Sequence, residues 1–111
     1  YEMNLRNHPA IRLQAGSGDS GSLIWAVAIY LDSDKIKISR DEIILQMAQK
    51  NIECRPGFYT PFQLDMYPNV MAKDFHIANT LASNIIVLPS FSKLKDEQID
   101  FICTTLNEII G

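Results

Sequence analysis

The run LIWAVAIYL at residues 23–31 constrains the fold more than any other part of the chain. It carries no charge and is apolar at both alternating sets of positions, which predicts a central β-strand covered on both faces. Such a strand needs a core around it. A chain of 111 residues, 47% hydrophobic and 21% charged, has the length and composition of one soluble globular domain able to supply that core. No apolar stretch approaches the roughly 20 residues that cross a bilayer, so a membrane is not an expected partner. The net charge is -3 and the basic residues are scattered, which argues equally against a nucleic-acid partner. Cys54 and Cys103 lie far apart at no metal spacing, which predicts free thiols in a reducing cytoplasm, with one disulfide as the alternative. The chain opens on YEMNLRNHP, with neither an initiator methionine nor a signal peptide, and reads as a piece of something longer.

Around the central run the elements alternate. Residues 1–6 suit the last turns of a helix that Pro9 cannot continue, and residues 11–13 suit a short edge strand. A polar, glycine-rich loop, QAGSGDSGS, leads into the apolar run. After it, SRDE places Ser39 as an N-cap with Glu42 three residues on, which predicts a helix over residues 40–50 with Ile43, Ile44, Met47 and Ala48 on one face. Asn51 is suited to end that helix in a left-handed turn and to release the chain into a strand, IECR. From 56 to 69 three prolines and a glycine break any regular pattern, and a loop of that length is more often functional than incidental. Helical spacing resumes near Asp74 through Phe75, Ala78, Leu81 and Ala82, with Asn84 as a C-cap. The strand IIVL follows, stopped by Pro89, and then a terminal helix with apolar residues at 99, 102, 103, 106, 109 and 110. Asp96 and Glu97 favour the positive end of that helix's dipole.

Several strings imitate catalytic motifs. GDSGS, residues 18–22, has the look of a serine-protease nucleophile segment, yet the chain is too short for the two barrels that build such a site, and neither His8 nor His76 has a matching acid. GSGDSG lacks the Gly-Lys-Ser/Thr ending of a phosphate loop. DSDKIKISRDE has acids at the first and third places of a calcium loop, but isoleucine at the fifth and no glycine at the sixth. The histidines are single, so no metal site is expected.

One stretch remains, NIECRPGFYTPFQLDMYPN, residues 51–69. Arg55 stands there among aromatics and prolines, with no partner acid, thiol or metal ligand expected nearby. A guanidinium at a strand end can clamp a carboxylate or phosphate through paired hydrogen bonds, and neighbouring rings offer stacking faces for a sugar or base. The candidate binding residues are therefore Arg55, Phe58, Tyr59, Gln63 and Tyr67. The alternative, that Arg55 pairs with a surface acid while the aromatics pack the loop onto the core, stands open on residue types alone.

The order of elements, the phrases IECRPGFYTPFQLDMY and IIVLPSFSKLKDEQIDFIC, and Trp25 followed by the SRDEIILQMAQKNI helix resemble one known family over nearly the whole chain. It is the C-terminal small domain of the pyridoxal-phosphate-dependent sugar-nucleotide aminotransferases, the DegT/DnrJ/StrS group, with a flavour closest to its perosamine-synthase-like members. In that group a helix ends before an Ile, a strand delivers an arginine, and a loop of Phe, Tyr and Pro reaches a tyrosine; Arg55, Phe58, Tyr59 and Tyr67 match. Farther on, Leu88, Pro89, Leu94, Glu97 and Ile99 match the Leu-Pro strand end and the opening of the last helix. The chain departs where the group carries a histidine after Pro-Leu, for Phe62 stands there with Gln63 beside it, and Asp65 replaces a usual proline. That histidine's role has no counterpart here.

The expected fold class is α+β, a two-layer sandwich of a small mainly antiparallel sheet with helices packed on it. The resemblance implies the small domain of an aspartate-aminotransferase-like fold, with residues 1–111 as the C-terminal small domain of a longer enzyme. It further implies that the parent is a cytoplasmic homodimer whose separate large domain binds pyridoxal phosphate through a lysine. Lys35, Lys37, Lys50, Lys73, Lys93 and Lys95 sit in polar segments and read as surface residues instead. The parent would transfer an amino group from glutamate to a nucleotide-linked keto-sugar, in cell-surface polysaccharide or sugar biosynthesis. The fragment alone would hold no cofactor, carry no catalytic residue and catalyse nothing. Two other readings are a free-standing small-anion-binding or regulatory α+β module, and a domain that mainly closes over a neighbouring domain or subunit.

Overall fold

The computed structural model describes residues 1–14, 24–67 and 72–111, with Phe62, Ala72 and Asp74 described by their backbone alone. Most of the glycine- and serine-rich loop, Leu23 and the end of the proline-rich loop lie outside the described residues. In chain order the elements are α1 (Glu2–Leu5), β1 (Ile11–Leu13), β2 (Val27–Leu31), α2 (Arg40–Gln49), β3 (Arg55–Pro56), α3 (His76–Asn84), β4 (Ile85–Leu88) and α4 (Asp96–Ile110). The strands form one antiparallel sheet in the order β1-β2-β4-β3. The fold is α+β, as the alternation of elements predicts.

Register decides which side chains share a face. Ile11 pairs with Leu31, Leu13 with Ile29, Ile29 with Ile86 and Val27 with Leu88, so these residues line one side of the sheet. On that side they join Leu5, Ile43, Met47, Ile102, Cys103 and Leu106 in a single core. The helices α1, α2 and α4 cover it. Full burial of side chains such as Ile29, Ile86 and Leu106 contributes about 1.5–3 kcal/mol each.

The opposite face departs from the expectation that the central run is covered on both sides. Ala28 and Tyr30 are only half-buried, because α3 is the element that borders this face and it buries no residue. Leu81 of α3, with Tyr30, Ile85 and Val87, lines a cavity of about 440 Å³ there. The run is also shorter as a strand than the sequence predicts, beginning at Val27 with Ile24 and Trp25 exposed. Pro89 supplies the reason. Val27 is opposite Leu88, the last residue before Pro89, and the fixed φ of that proline, with its missing N–H on the β3 side, ends β4 there. The predicted strand IECR is likewise cut to Arg55–Pro56, although Ile52 and Cys54 stay buried.

Elsewhere local signals match local structure. Ser39 Oγ accepts from the Glu42 amide at 3.2 Å and caps α2. Ile43 and Met47 are fully buried, whereas Ala48, expected on the same face, is exposed. Asn51 follows the helix at φ 61°, the left-handed turn anticipated for it. The helix expected from Asp74 begins at His76 after a short 3-10 turn over Ala72–Phe75, and Asn84 passes directly into β4 instead of capping. At the start of the chain the Tyr1 hydroxyl donates to the Pro89 carbonyl at 2.8 Å, and Asn4 Nδ2 donates to Asp100 at 2.7 Å, tying α1 to the end of β4 and to α4.

Two predictions concern stability. Val at position 51 would occupy a left-handed conformation closed to a β-branched residue, so Asn51→Val should lose about 1–3 kcal/mol in urea unfolding while Asn51→Gly stays within about 0.5 kcal/mol. Cys54 and Cys103 are both buried and free. Burial, helped by the Glu53 charge, pushes the Cys54 thiol from 9.0 up to about 11, and burial also raises Cys103 and the half-buried Tyr1 hydroxyl. A folded pKa above the unfolded one means that the unfolded chain ionises first. Stability should therefore be full below about pH 9 and fall as the pH rises through about 11. Cys54→Ala should flatten that fall in unfolding midpoints measured across the range.

Candidate functional site

At the Pro89 end of β4, the chain segments before β2 and before β3 leave the sheet together. Between them and the first half of α4 lies a cavity of about 780 Å³. Its charged lining residues are Lys50, Glu53 and Arg55; its rings are Trp25, Phe58, Phe91 and Phe101; Val87, Leu88, Pro89 and Leu94 supply apolar wall. Such a volume and a lining mostly apolar with few polar groups are those of a small-molecule site.

Arg55 enters this space from β3. The Arg55 side chain is 76% exposed, and its Nε and Nη2 donate to Glu53 Oε1 at 3.3 and 3.0 Å. Glu53 therefore corrects the expectation that Arg55 has no acid partner: residues two apart on an extended chain project to the same side, which brings the carboxylate to the guanidinium. An ion pair this exposed contributes little stability, about 0–1 kcal/mol at most. Its effect is on orientation, since one edge of the guanidinium is held and Nη1 keeps its donors for something else.

Phe58 follows through Gly57, where an added Cβ would come within 3.0 Å of the Ile85 Cβ; the missing side chain lets the loop leave this close to β4. The Phe58 ring is 78% exposed and stands 6.2 Å from that of Trp25, tilted by 34°. Trp25 itself is 71% exposed. Its carbonyl accepts from Ser90 Oγ at 3.3 Å, which ties the lead-in of β2 to the residue after Pro89.

The other sequence candidates are placed differently. Gln63 closes a capping box, its Oε1 accepting from both the amide and the hydroxyl of buried Thr60 at 2.8 Å, so that oxygen is committed to the 3-10 turn Pro61–Gln63. Tyr59 and Tyr67 are exposed residues of the same loop that do not line the cavity. Arg55 and Phe58 are thus brought together; Tyr59, Gln63 and Tyr67 are not.

Sequence reasoning missed Trp25, Glu53 and Phe101. No signal in the sequence separates Trp25 from the apolar run; only the β2–β4 register, which begins at Val27, places it outside the ladder. Phe101 falls between the buried positions of α4 and is exposed in consequence. All six lysines are exposed, and none has the desolvated setting that makes a lysine a nucleophile. Among the described residues no helix is long and apolar enough to cross a membrane, and no cluster of three or more His, Cys, Asp or Glu could hold a metal.

Comparison with known proteins gives the site its context. The model of the DegT/DnrJ/EryC1/StrS aminotransferase family matches residues 1–107. GDP-perosamine synthase of Escherichia coli O157:H7 is 32% identical over 108 residues, which are 97% of this chain and 28% of that protein. The dTDP-4-amino-4,6-dideoxy-D-glucose transaminase of Shigella dysenteriae is 29% identical over 111 residues, 98% of this chain and 30% of that one. The chain therefore spans a little under a third of the length of these relatives. Among solved structures, Spr1654 of Streptococcus pneumoniae in its PMP-form superposes with a TM-score of 0.86 at 21% identity, covering 98% of this chain and 28% of that one. The aminotransferase TlmJ of Streptoalloteichus hindustanus gives 0.82 at 13%, covering 97% and 28%. At these identities the superpositions speak for the fold alone, and the family rests on the match over residues 1–107: the chain belongs to the DegT/DnrJ/EryC1/StrS aminotransferase family.

Proposed function

We propose that this chain is the C-terminal small domain of a pyridoxal-phosphate-dependent aminotransferase that passes an amino group from glutamate to a nucleotide-linked keto-sugar. The observation that carries the reading is the family match over residues 1–107 in a chain that spans only 28% of a GDP-perosamine synthase. The named relatives act on GDP- and dTDP-linked sugars, which supports a nucleotide-sugar substrate and a place in cell-surface polysaccharide or sugar biosynthesis. Spr1654 has been solved in both PLP- and PMP-forms, which supports the same cofactor in the parent enzyme.

Every lysine of this chain is exposed, which supports placing the anchor of that cofactor elsewhere in the parent enzyme. Its anchoring lysine and phosphate site belong, on this reading, to the large domain, and the small domain alone is not catalytic. The parent works in the cytoplasm as a homodimer. What the small domain contributes is one wall of the substrate cleft. Arg55, held on one edge by Glu53, offers its free donors to an anionic group of the substrate. Phe58 lines the same cavity as Arg55, Gln63 braces the loop through Thr60, and Tyr59 and Tyr67 would meet the substrate only at the margin of the cleft.

In the intact protein, Arg55→Ala should lower kcat/KM roughly tenfold to a hundredfold through KM or turnover, as expected for loss of a charged hydrogen bond, with thermal unfolding little changed. An unaltered kcat/KM removes Arg55 from the site. The wider assignment is tested by absorbance of the intact protein with pyridoxal phosphate. A visible band of bound cofactor that is lost on adding glutamate supports an aminotransferase. A folded protein with no band would instead be read as a small-anion-binding module.

A further inference from the structure

Of the cavity's lining residues, Ile52, Leu88 and Ile102 belong to the core and Arg55, Pro56 and Val87 to a ladder, whereas Trp25 belongs to neither. It lies outside the β2 ladder, outside the buried core, and 71% exposed, an unfavourable place for the largest apolar side chain and the one tryptophan of this chain. Its contact with Phe58 does not account for it, since Phe58 stays 78% exposed. Two rings 6.2 Å apart at 34° present a bare aromatic corner to the cavity that also holds Arg55. The backbone beneath the corner is fixed, through the Ser90 hydrogen bond to the Trp25 carbonyl on one side and Gly57 packed on Ile85 on the other.

The charges of the cavity complete the pattern. Lys50 and Arg55 are positive, and Glu53 occupies only the Nε–Nη2 edge of Arg55. An occupant matched to this space has a flat π face at one end and negative charge at the other, and at about 780 Å³ the cavity lies in the range that takes drug-sized ligands. We propose that Trp25 is the stacking surface for the base of a nucleoside diphosphate whose phosphates engage the free side of Arg55. The inference rests on the Arg55 reading above and deepens it by naming which part of the substrate meets this domain and which residue selects it. Stacking on an aromatic face is tolerant of base identity because every base has one, so the corner favours nucleotides as a class over sugar phosphates without choosing among bases.

The test is calorimetric titration of the intact protein with guanosine diphosphate, thymidine diphosphate and inorganic pyrophosphate, using Trp25→Phe, Trp25→Leu and Arg55→Ala. Trp25→Leu keeps apolar bulk and removes the π face, so both nucleoside diphosphates should bind about tenfold more weakly. Pyrophosphate should bind within about twofold of the unaltered protein, and Trp25→Phe should retain nucleotide affinity within about threefold. If Trp25→Leu binds the nucleotides as tightly as Trp25→Phe does, or loses pyrophosphate to the same degree as nucleotide, stacking by Trp25 is overturned. Arg55→Ala should weaken all three ligands. Should it leave all three unchanged, the Arg55 reading fails on its own, and Trp25 is still decided by the contrast between nucleotide and pyrophosphate.

Discussion

Pro89, directly after Leu88, fixes where β4 stops. β2 and β4 are the two central strands, and the end of β4 lies beside the starts of β2 and β3. A proline inside a central strand would be costly; placed directly after Leu88 it follows the last pair with β2 and withholds an N–H on the β3 side alone. The Pro89 carbonyl is not idle either, since it takes the Tyr1 hydroxyl and so brings the start of the chain to the same point.

From that stop the cavity follows. Released from pairing, the segments around Trp25 and Glu53 diverge from β4, and α4, packed against the core through Ile102, Cys103 and Leu106, closes the third side. The rigid part of the molecule is the Ile29 face with its three helices, and the functional part is assembled at its margin, where side chains can be exposed without weakening the core. The lopsided covering of the sheet belongs to the same design. One face carries nearly all the buried apolar surface, while the other is bordered by a helix with no buried residue.

How much of this was legible depended on the range of the signal. Local chemistry read well: the Ser39 cap, the left-handed Asn51, the stop at Pro89 and the stripe of α4 each act within a few residues, and each is present. What failed was pairing information. The apolar run from 23 to 31 could not declare that its first residues would outrun the partner strand, and IECR could not declare that only Arg55 and Pro56 would find β4 opposite. For the site, residue types point to Arg55 and Phe58, which do share the cavity, but also to Gln63, although TPFQ carries the same capping-box spacing as SRDE and commits that amide to Thr60. Trp25 was hidden in the opposite way, since membership of an apolar run made it look like core.

The direct passage of α3 into β4, with Asn84 ending one and Ile85 beginning the other, has a consequence for how this chain tolerates changes in length. A connecting loop absorbs an inserted residue; a junction with no loop does not. One residue added between Thr80 and Ile85 must either be looped out of the helix or be passed on to the strand, and in the strand a slip of one position turns Ile86 and Leu88 out of the core and sends Ile85 and Val87 into it. The cost of a change in length therefore falls on β4 unless α3, which buries no residue, absorbs it, so α3 acts as the buffer that a loop would otherwise provide.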